Sequence, residues 1–596
     1  MRTFAFPYAL ALVPALLVAF LQPVWSRVDE AQHYDVIAHY ARGEYPVESL
    51  ATLTPDTVEI MRKTGIYRWS LPGQQPVPTV DDPAEMTPLP ANLSREASDA
   101  WQRRHLWWFS YEAMQPPLFY ALALPFWIAG KALGGAFGAL YAVRAFDAML
   151  NALVAPIALA MGRLLVPGLT LSRRLAAAAI VLLPGAALIG TQVINDTLAV
   201  VLSSVALLLA LRGLKRGWDL RQALLLGAVM GAAILSKLLV VGIAPAIALA
   251  MAWPLLTRQT QPLRQLALML AAGAAATAVV APWLILNLQV YGHPIPEAEA
   301  QKVIGHDLGN NPRTFSLVYI QASLKHFFTT FWTGEPHNAL PFVRLAAGYC
   351  GLLTVASGAG VALMILRKRG ATWLSPILLA VLVTAVLGQA VWAFIGLYES
   401  GIGDFVPGRY AYPALVPTML LMALGLLALL GQRLLIAGVA GLAVVATLQL
   451  GGYMIGLSGQ PVERRTAPPA SGTEVHQLIG ARGTYHALTI SSDRIELEPA
   501  TRATWIHLDV ANGGDTPVIW SADPAAADAG RSPMGAFPAY TAFPETLPPH
   551  SHYSGWLELR NAPPLLTGNG ALYFGDLTDD DYRTIGLVEI DLKNVK

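Results

Sequence analysis

The sequence predicts a polytopic α-helical membrane protein followed by a β-sandwich-like domain outside the bilayer, and three observations carry that prediction. Of 596 residues, 54% are hydrophobic and 13% charged, against about 25% charged in an average soluble chain. Apolar segments long enough to cross a bilayer recur from the N-terminus to about residue 457. Beyond a Pro-rich stretch at 461–469 the pattern changes to short alternating runs divided by turn residues. The 40 basic and 39 acidic residues leave a net charge of +1, so the total charge offers nothing to draw nucleic acid. Cys350, the one cysteine, lies in an apolar run, which excludes a disulfide framework and a thiolate metal site.

The first segment, residues 4–25, is apolar over about the 20 residues a spanning helix needs, with only Arg2 before it. It is longer than a signal-peptide core and more spans follow, so it reads as an uncleaved anchor. Further spans are expected near 144–163, 174–192, 196–212, 221–236, 238–256, 264–290, 342–366, 373–398, 411–431 and 434–457, about 11 in all by the span length a bilayer requires. With a cytoplasmic N-terminus the inner loops hold Arg2, Arg163, Arg173, Arg174, Arg212, Lys215, Arg216, Arg221, Arg258, Arg264, Arg367, Lys368, Arg369 and Arg433, opposed only by Asp219. That bias sets the orientation expected of a bacterial inner (plasma) membrane protein, with the C-terminus outside. Residues 116–132 are apolar enough to cross, which would upset this parity. Opening at Pro116-Pro117 and closing in the Gly-rich 130–138 stretch, they are expected to form a re-entrant or interfacial helix.

The expected division is therefore a membrane domain over 1–458, with outer loops at 26–115 and 291–341, and an extracytoplasmic β-rich domain over 459–596. From Pro461 onward there are 17 acidic and 10 basic residues, a net of −7. Runs such as 487–490, 505–510, 555–559 and 587–591 alternate as strands of a sandwich do. Trp505, Trp520, Trp556 and Tyr573 can make a carbohydrate platform or fill a core, and core is expected for Trp505 and Trp556 because they sit inside alternating strands. Asp579, Asp580 and Asp581 read as a solvated turn. In the second outer loop the histidines are scattered, and Phe327, Phe328, Phe331 and Trp332 read as an interfacial belt.

Chemistry is expected where ionisable residues meet span ends, since such groups are costly there unless paired or solvated. Asp29 and Glu30 follow the first span directly and lead into a helix with Tyr34, Ile37, Ala38 and Ala41 on one face. One carboxylate can act as a general base for a hydroxyl, and the other can hold a divalent cation, Mg or Mn, or a sugar hydroxyl. The plain alternative is that the pair stops the span and favours the helix N-terminus. His33 and His39 lie six apart, which is not the spacing of a helical metal-binding pair, so solvated or interfacial histidines are expected.

The Asp29-Glu30 pair, His33-Tyr34, Gly43-Glu44-Tyr45-Pro46 and then Tyr111-Glu112-Ala113-Met114-Gln115-Pro116-Pro117-Leu118-Phe119-Tyr120 resemble the first outer loop of the GT-C superfamily. These are membrane glycosyltransferases that use polyprenyl-phosphate sugars, such as protein O-mannosyltransferases and lipid A aminoarabinose transferases. Gln115 stands where the aminoarabinose transferases carry Lys, and the acid lies three residues earlier, at Glu112. Asn195-Asp196-Thr197 is similar to the superfamily's second acidic site and Ser236-Lys237 to its short outer turn. Pro282-Trp283 with Asn287 and Tyr291-Gly292, and Gly408-Arg409-Tyr410 with Pro413, are similar to patterns of related bacterial membrane proteins. The resemblance covers about residues 1–455 and leaves the tail aside.

The resemblance implies transfer of a sugar from a polyprenyl-phosphate carrier to a hydroxyl of a glycan, lipid or protein acceptor at the outer face, with inversion. It implies catalytic roles for Asp29 and Glu30, and substrate binding by Glu112, Asp196, Lys237 and Arg409 with His33, Tyr34 and Gln115. Glu30 and Asp196 are the candidates for a divalent cation. Arg409 is the first choice for the departing phosphate and Lys237 the second. Each has a plainer reading: Arg409 as a headgroup anchor, Lys237 as a snorkelling side chain, Asp196 as a helix cap, Gln115 as structural. A transporter or flippase of lipid-linked glycans is the alternative from another class; it calls for ionisable residues inside spans and for inverted repeats. Asp147 is the main such residue. A scaffold recruiting an envelope partner through its acidic tail is a third.

Overall fold

The structure, a computed structural model, describes residues 2–25, 29–47, 51–64, 110–295, 317–334, 342–366, 375–400, 406–457, 467–499, 503–520, 525–527, 533–534, 537–541, 543–544, 546–560, 570–578 and 584–592. Up to residue 457 the chain is helical. Helix α1 (Arg2–Leu21) is followed by α2 (Glu30–Ala41), α3 (Pro55–Thr64) and α4 (Leu118–Leu165). Then come α5 (Thr170–Leu182), α6 (Pro184–Ile189), α7 (Asp196–Arg216), α8 (Leu220–Ile234), α9 (Ala244–Leu256) and α10 (Pro262–Tyr291). The last are α11 (Leu317–Thr333), α12 (Val343–Leu366), α13 (Pro376–Ser400) and α14 (Leu415–Leu457). Short 3₁₀ turns at Tyr111–Met114, Leu238–Ile243 and Gly408–Ala414 precede α4, α9 and α14.

Among the described residues eight helices are long and apolar enough to cross a membrane, so the chain is a multi-pass membrane protein. Two of them are broken at glycine. In α4, Gly134 and Gly135 leave helical geometry, Gly135 at φ +64. In α14, Gly431 stands at φ +75, between the two spans expected there. Of the shorter apolar pieces, α8 has 15 residues, and α5 stops where Leu183 is driven to an extended conformation by Pro184.

The break in α4 settles how residues 118–133 run. The second arm lies antiparallel to α1, because Arg144 reaches the carbonyls of Gln22 and Pro23 at the C-terminal end of α1. Farther along, Ala148 packs on Ala15 and Ala19, and Ala152 and Ala155 on Ala11. These alanine stripes let the two backbones approach closely, while Phe6, Leu10, Val13 and Leu17 on α1 stay exposed to lipid. The first arm folds back on the second: a Cβ on Gly130 would stand 2.3 Å from the Gly138 carbonyl oxygen, and Phe126 stacks on Phe146 at 4.6 Å. Phe119 also reaches Phe146. The first arm thus lies at and beyond the end of α1 without running its length.

Residues 317–333 were expected as covering loop and are helix α11. Phe331 and Trp332 do not form a surface belt; both are buried, Phe331 against Tyr412 at 5.4 Å between ring centres. A helix whose aromatic face meets a partner helix hides that face from lipid.

The last helix ends at Leu457 and the first strand begins at Glu474. Strands β1 (Glu474–Tyr485), β2 (Leu488–Glu498), β3 (Ala503–Asn512), β4 (Val518–Ile519), β5 (Ala525–Ala527), β6 (Pro533–Met534), β7 (Phe537–Thr541), β8 (Thr546–Leu547), β9 (Ser551–Arg560), β10 (Ala571–Thr578) and β11 (Thr584–Asp591) make two antiparallel sheets. One runs β1-β2-β3-β9-β7; the other runs β6-β5-β10-β4-β8, with β11 on β10. Their shared core takes Ile506, Leu508 and Val510 from β3 and Leu557 and Leu559 from β9, with Trp520 and Phe574. Strand alternation therefore turns Trp505 and Trp556 to the other face of that sheet. Trp505 is nonetheless fully buried, whereas Trp556 is half-buried between Arg494 and the His507 ring. The core expectation fails for Trp556 because the core face of β9 falls on its neighbours. Residues 579–581 lie outside the described residues.

Candidate active site

Consecutive residues at the start of a helix point about 100° apart, and this separates Asp29 from Glu30. Asp29 turns the chain from α1 into α2 in the left-handed region, at φ 52 and ψ 13, a conformation Asp and Asn tolerate better than most residues. Its carboxylate stays partly exposed, with Oδ2 3.2 Å from Arg409 Nη2. Glu30 points inward and is fully buried against an equally buried Arg144. Nε and Nη2 of Arg144 donate to Oε1 and Oε2 of Glu30, each at 2.7 Å. Oε1 also accepts from the Val193 backbone N–H.

The turn bearing Asp196 hangs from this buried pair. Asp147 Oδ2 accepts from the Ile194 N–H at 3.3 Å, and Gln22 donates to the Thr191 carbonyl at 2.6 Å. Asn195 donates to Gln115 at 3.2 Å. Thus Asp196 is presented at the first residue of α7, where Lys237 donates to its Oδ2 at 2.6 Å.

Arg409 is fixed from three sides. Gly408 sits so close to α11 that a Cβ would stand 2.1 Å from the Phe331 nitrogen. Its N–H donates to Thr330 Oγ1 at 2.7 Å. The Tyr412 hydroxyl donates to the Phe331 carbonyl, and Gln389 of α13 donates to the carbonyls of Tyr410 and Leu239. Because Leu239 lies two residues after Lys237, Gln389 ties both cation-bearing turns together. Lys237 Nζ and the Arg409 guanidinium each lie 5.4 Å from the centre of the Tyr410 ring, so one aromatic ring serves two cations.

His33 closes another side, its Nδ1 2.8 Å from the Tyr120 hydroxyl. Burial pushes its pKa well below the usual histidine range, and the charge of Lys237 adds to this; His33 is therefore neutral at pH 7. Tyr120 is within electrostatic reach of Glu112, Asp196 and Asp29. Asp29, His33, Glu112, Asp196, Lys237 and Arg409, spread over 380 residues of sequence, thereby meet in one cluster at the end of the bundle where α1 stops.

The other candidates are placed differently. Glu30 has both oxygens engaged in the interior. The Tyr34 hydroxyl donates to the Ala136 carbonyl at 3.0 Å and its ring packs between Trp25 and Trp127, which joins α2 to the α4 hairpin. Gln115 is a hydrogen-bond acceptor for Asn195. The two candidates for a divalent cation do not suit one as they stand, since Glu30 is held by Arg144 and Asp196 by Lys237. Among the described residues no group of three or more His, Cys, Asp or Glu gathers to hold a metal.

Sequence reasoning missed Arg144 and Tyr410. The signal for Arg144 was present: it lies three residues before Asp147 in an apolar segment, hence on the same helix face. Tyr410 belongs to the Gly-Arg-Tyr motif, where it was overlooked as a support for both cations.

No family model and no curated protein matches the sequence. Solved structures do resemble it. The crystal structure of ArnT from Cupriavidus metallidurans bound to undecaprenyl phosphate is 14% identical, with 76% of each chain covered and a TM-score of 0.41. The same protein in the apo state gives 15%, 76% of each chain and 0.39. The Archaeoglobus fulgidus oligosaccharyltransferase tethered with an acceptor peptide is 13% identical over 76% of this chain and 55% of that chain, with a TM-score of 0.40.

Proposed function

We propose that the chain is a membrane glycosyltransferase of GT-C type, which moves a sugar from a polyprenyl-phosphate carrier to an acceptor hydroxyl with inversion. The observation that carries the reading is the juxtaposition of Asp29–Arg409 with Asp196–Lys237 around one tyrosine ring. Transfer from a phosphate needs a base for the incoming hydroxyl and cations for the outgoing oxygen, and the cluster offers both. The acceptor oxygen bonds to the anomeric carbon as the bond from that carbon to the phosphate oxygen breaks. The acceptor proton passes to Asp29, and the bonding electron pair leaves on the phosphate, where Arg409 and Lys237 stabilise the charge. Asp196 orients Lys237 and an incoming hydroxyl. Glu112 and neutral His33, itself bonded to the buried Tyr120, are assigned to hydrogen-bond sugar hydroxyls. No step runs through a divalent cation.

Glu30, expected as catalytic, acts in this reading as a positioning residue that sets Asp29 and Asp196 through Arg144 and Val193. In this reading the cluster faces outward from a bacterial inner membrane with the C-terminal domain on the same side, which the bias of basic residues in the expected inner loops supports. The transporter alternative calls for ionisable groups free to act inside spans; Glu30, Arg144 and Asp147 are instead engaged with one another or with backbone groups. The purified chain should transfer labelled sugar from a polyprenyl-phosphate donor. Undiminished transfer by Asp29→Asn would sink the role given to Asp29.

A further inference from the structure

In the structure both proposed phosphate-binding cations are already taken by carboxylates. Arg409 faces Asp29, Lys237 faces Asp196, and the two pairs sit over the same ring. The pairs differ in quality from the buried one behind them. Glu30 and Arg144 share two bonds of 2.7 Å with no exposure, whereas Asp29 and Arg409 share a single contact of 3.2 Å with side chains 29% and 12% exposed. Arg409 Nε is buried and makes no hydrogen bond. A guanidinium with one loose carboxylate contact and an unused N–H is set to exchange partners, because a phosphate can take two of its donors at once.

We propose that phosphate and carboxylate compete for the same two cations, so that arrival of the donor's phosphate detaches Asp29 from Arg409 and Asp196 from Lys237 and releases both carboxylates toward the acceptor. This rests on the transferase reading and adds an order to it: lipid phosphate first, acceptor second. The physical basis is charge. While Arg409 faces Asp29, moving a proton onto Asp29 forfeits that attraction; once phosphate neutralises the guanidinium, the forfeit disappears. The pairing also keeps two largely buried cations from standing without a counter-charge.

The competition makes a prediction opposite in sign to that of a carboxylate or metal site that helps to bind phosphate. The full chain in phosphatidylcholine nanodiscs would be titrated calorimetrically with farnesyl phosphate, with inorganic phosphate and farnesol as separate arms. Asp29→Asn and Asp196→Asn should each tighten farnesyl phosphate binding by about three- to tenfold, since a competing anion is removed. Asn suits the left-handed backbone at position 29. The gain from Asp29→Asn should vanish in an Arg409→Gln background, and that from Asp196→Asn in Lys237→Gln. Inorganic phosphate should show the same sign and farnesol no change if the headgroup is what is read; a farnesol response equal to that of farnesyl phosphate overturns the inference. So does unchanged or weaker binding by the Asn variants. A second measurement uses the unmutated chain: carbodiimide coupling of Asp29 to glycine ethyl ester, read by mass spectrometry, should rise when farnesyl phosphate is added, and a fall or no change counts against the exchange. If coupling and affinity shift as stated but no sugar is transferred, the transferase reading fails and the exchange stands. If sugar is transferred without those shifts, the exchange alone fails.

Discussion

Glu30–Arg144 and Asp29–Arg409 are pairs of the same two chemical groups, rooted in adjacent residues, and they are built in opposite ways. The first is sealed, bidentate and bonded to the backbone at Val193 and at the end of α1. The second is single, partly exposed and set on a 3₁₀ turn. What separates the two pairs is whether the remaining donors of the guanidinium are already used. Arg144 spends its surplus N–H groups on the carbonyls of Ala19, Gln22 and Pro23, while Arg409 keeps Nε in reserve.

The comparison breaks if exchanging the pairs' roles has no consequence. The largest expected effect is on activity: Asp29→Asn should lower the turnover of labelled-sugar transfer by about 10²–10⁴-fold, the range for loss of a general base, while its melting temperature stays near that of the unmodified chain. Arg409→Ala should cost about 10²–10³-fold in turnover, as loss of one charge-stabilising donor does. Arg144→Ala should act on stability instead, because it strands a buried carboxylate; a loss of about 3–5 kcal/mol is expected, seen as a lower melting temperature in detergent. If Arg144→Ala melts normally and Arg409→Ala does not, the assignment of the two pairs is reversed.

A smaller effect tests the histidine behind the cleft. His39 lies 3.2 Å from Asp35 Oδ2 and 2.5 Å from Glu44 Oε2, and Asp35 also accepts from Thr54 and Thr57. Burial by itself lowers the pKa of His39, but the two carboxylates outweigh it and raise it. A group with a raised folded pKa contributes fully below its unfolded value of about 6.5 and loses that contribution as pH climbs through the folded one. Trypsin cleavage around Arg42 should therefore quicken as pH rises past neutrality, beyond the intrinsic pH dependence of the protease on a peptide standard. His39→Gln should remove that excess.

How much of this was legible in sequence follows the range of the forces involved. The turn residues Asp29, Asp196, Lys237 and Arg409 could be found because each sits at the end of an apolar run, where a charge is conspicuous, and the inner-loop charges placed them on one side. Glu30 was misjudged because its partner lies 114 residues away inside a span, and an adjacent pair of acids carries no local sign of which one faces inward. The break that folds residues 118–133 back was visible in the glycines after Gly130, since backbone breaks are written locally. Helix α11 was missed because its apolar face is made for other helices rather than for lipid, and a hydropathy pattern tuned to bilayers passes over it. In the tail, alternation located the strands, but which face of β9 would be covered depended on the opposite sheet.

Arg144 also bears on the timing of assembly. The terminal carbonyls of α1 find their donor in a residue made 122 positions after Gln22; at about 5–20 residues per second, that is on the order of ten seconds of synthesis. Through that interval the exit of the first helix must be satisfied by water, headgroups or the insertion machinery. The carbonyls at the end of α1 thus gain their donor once α4 is made, well before the Gly408–Ala414 turn that completes the cluster.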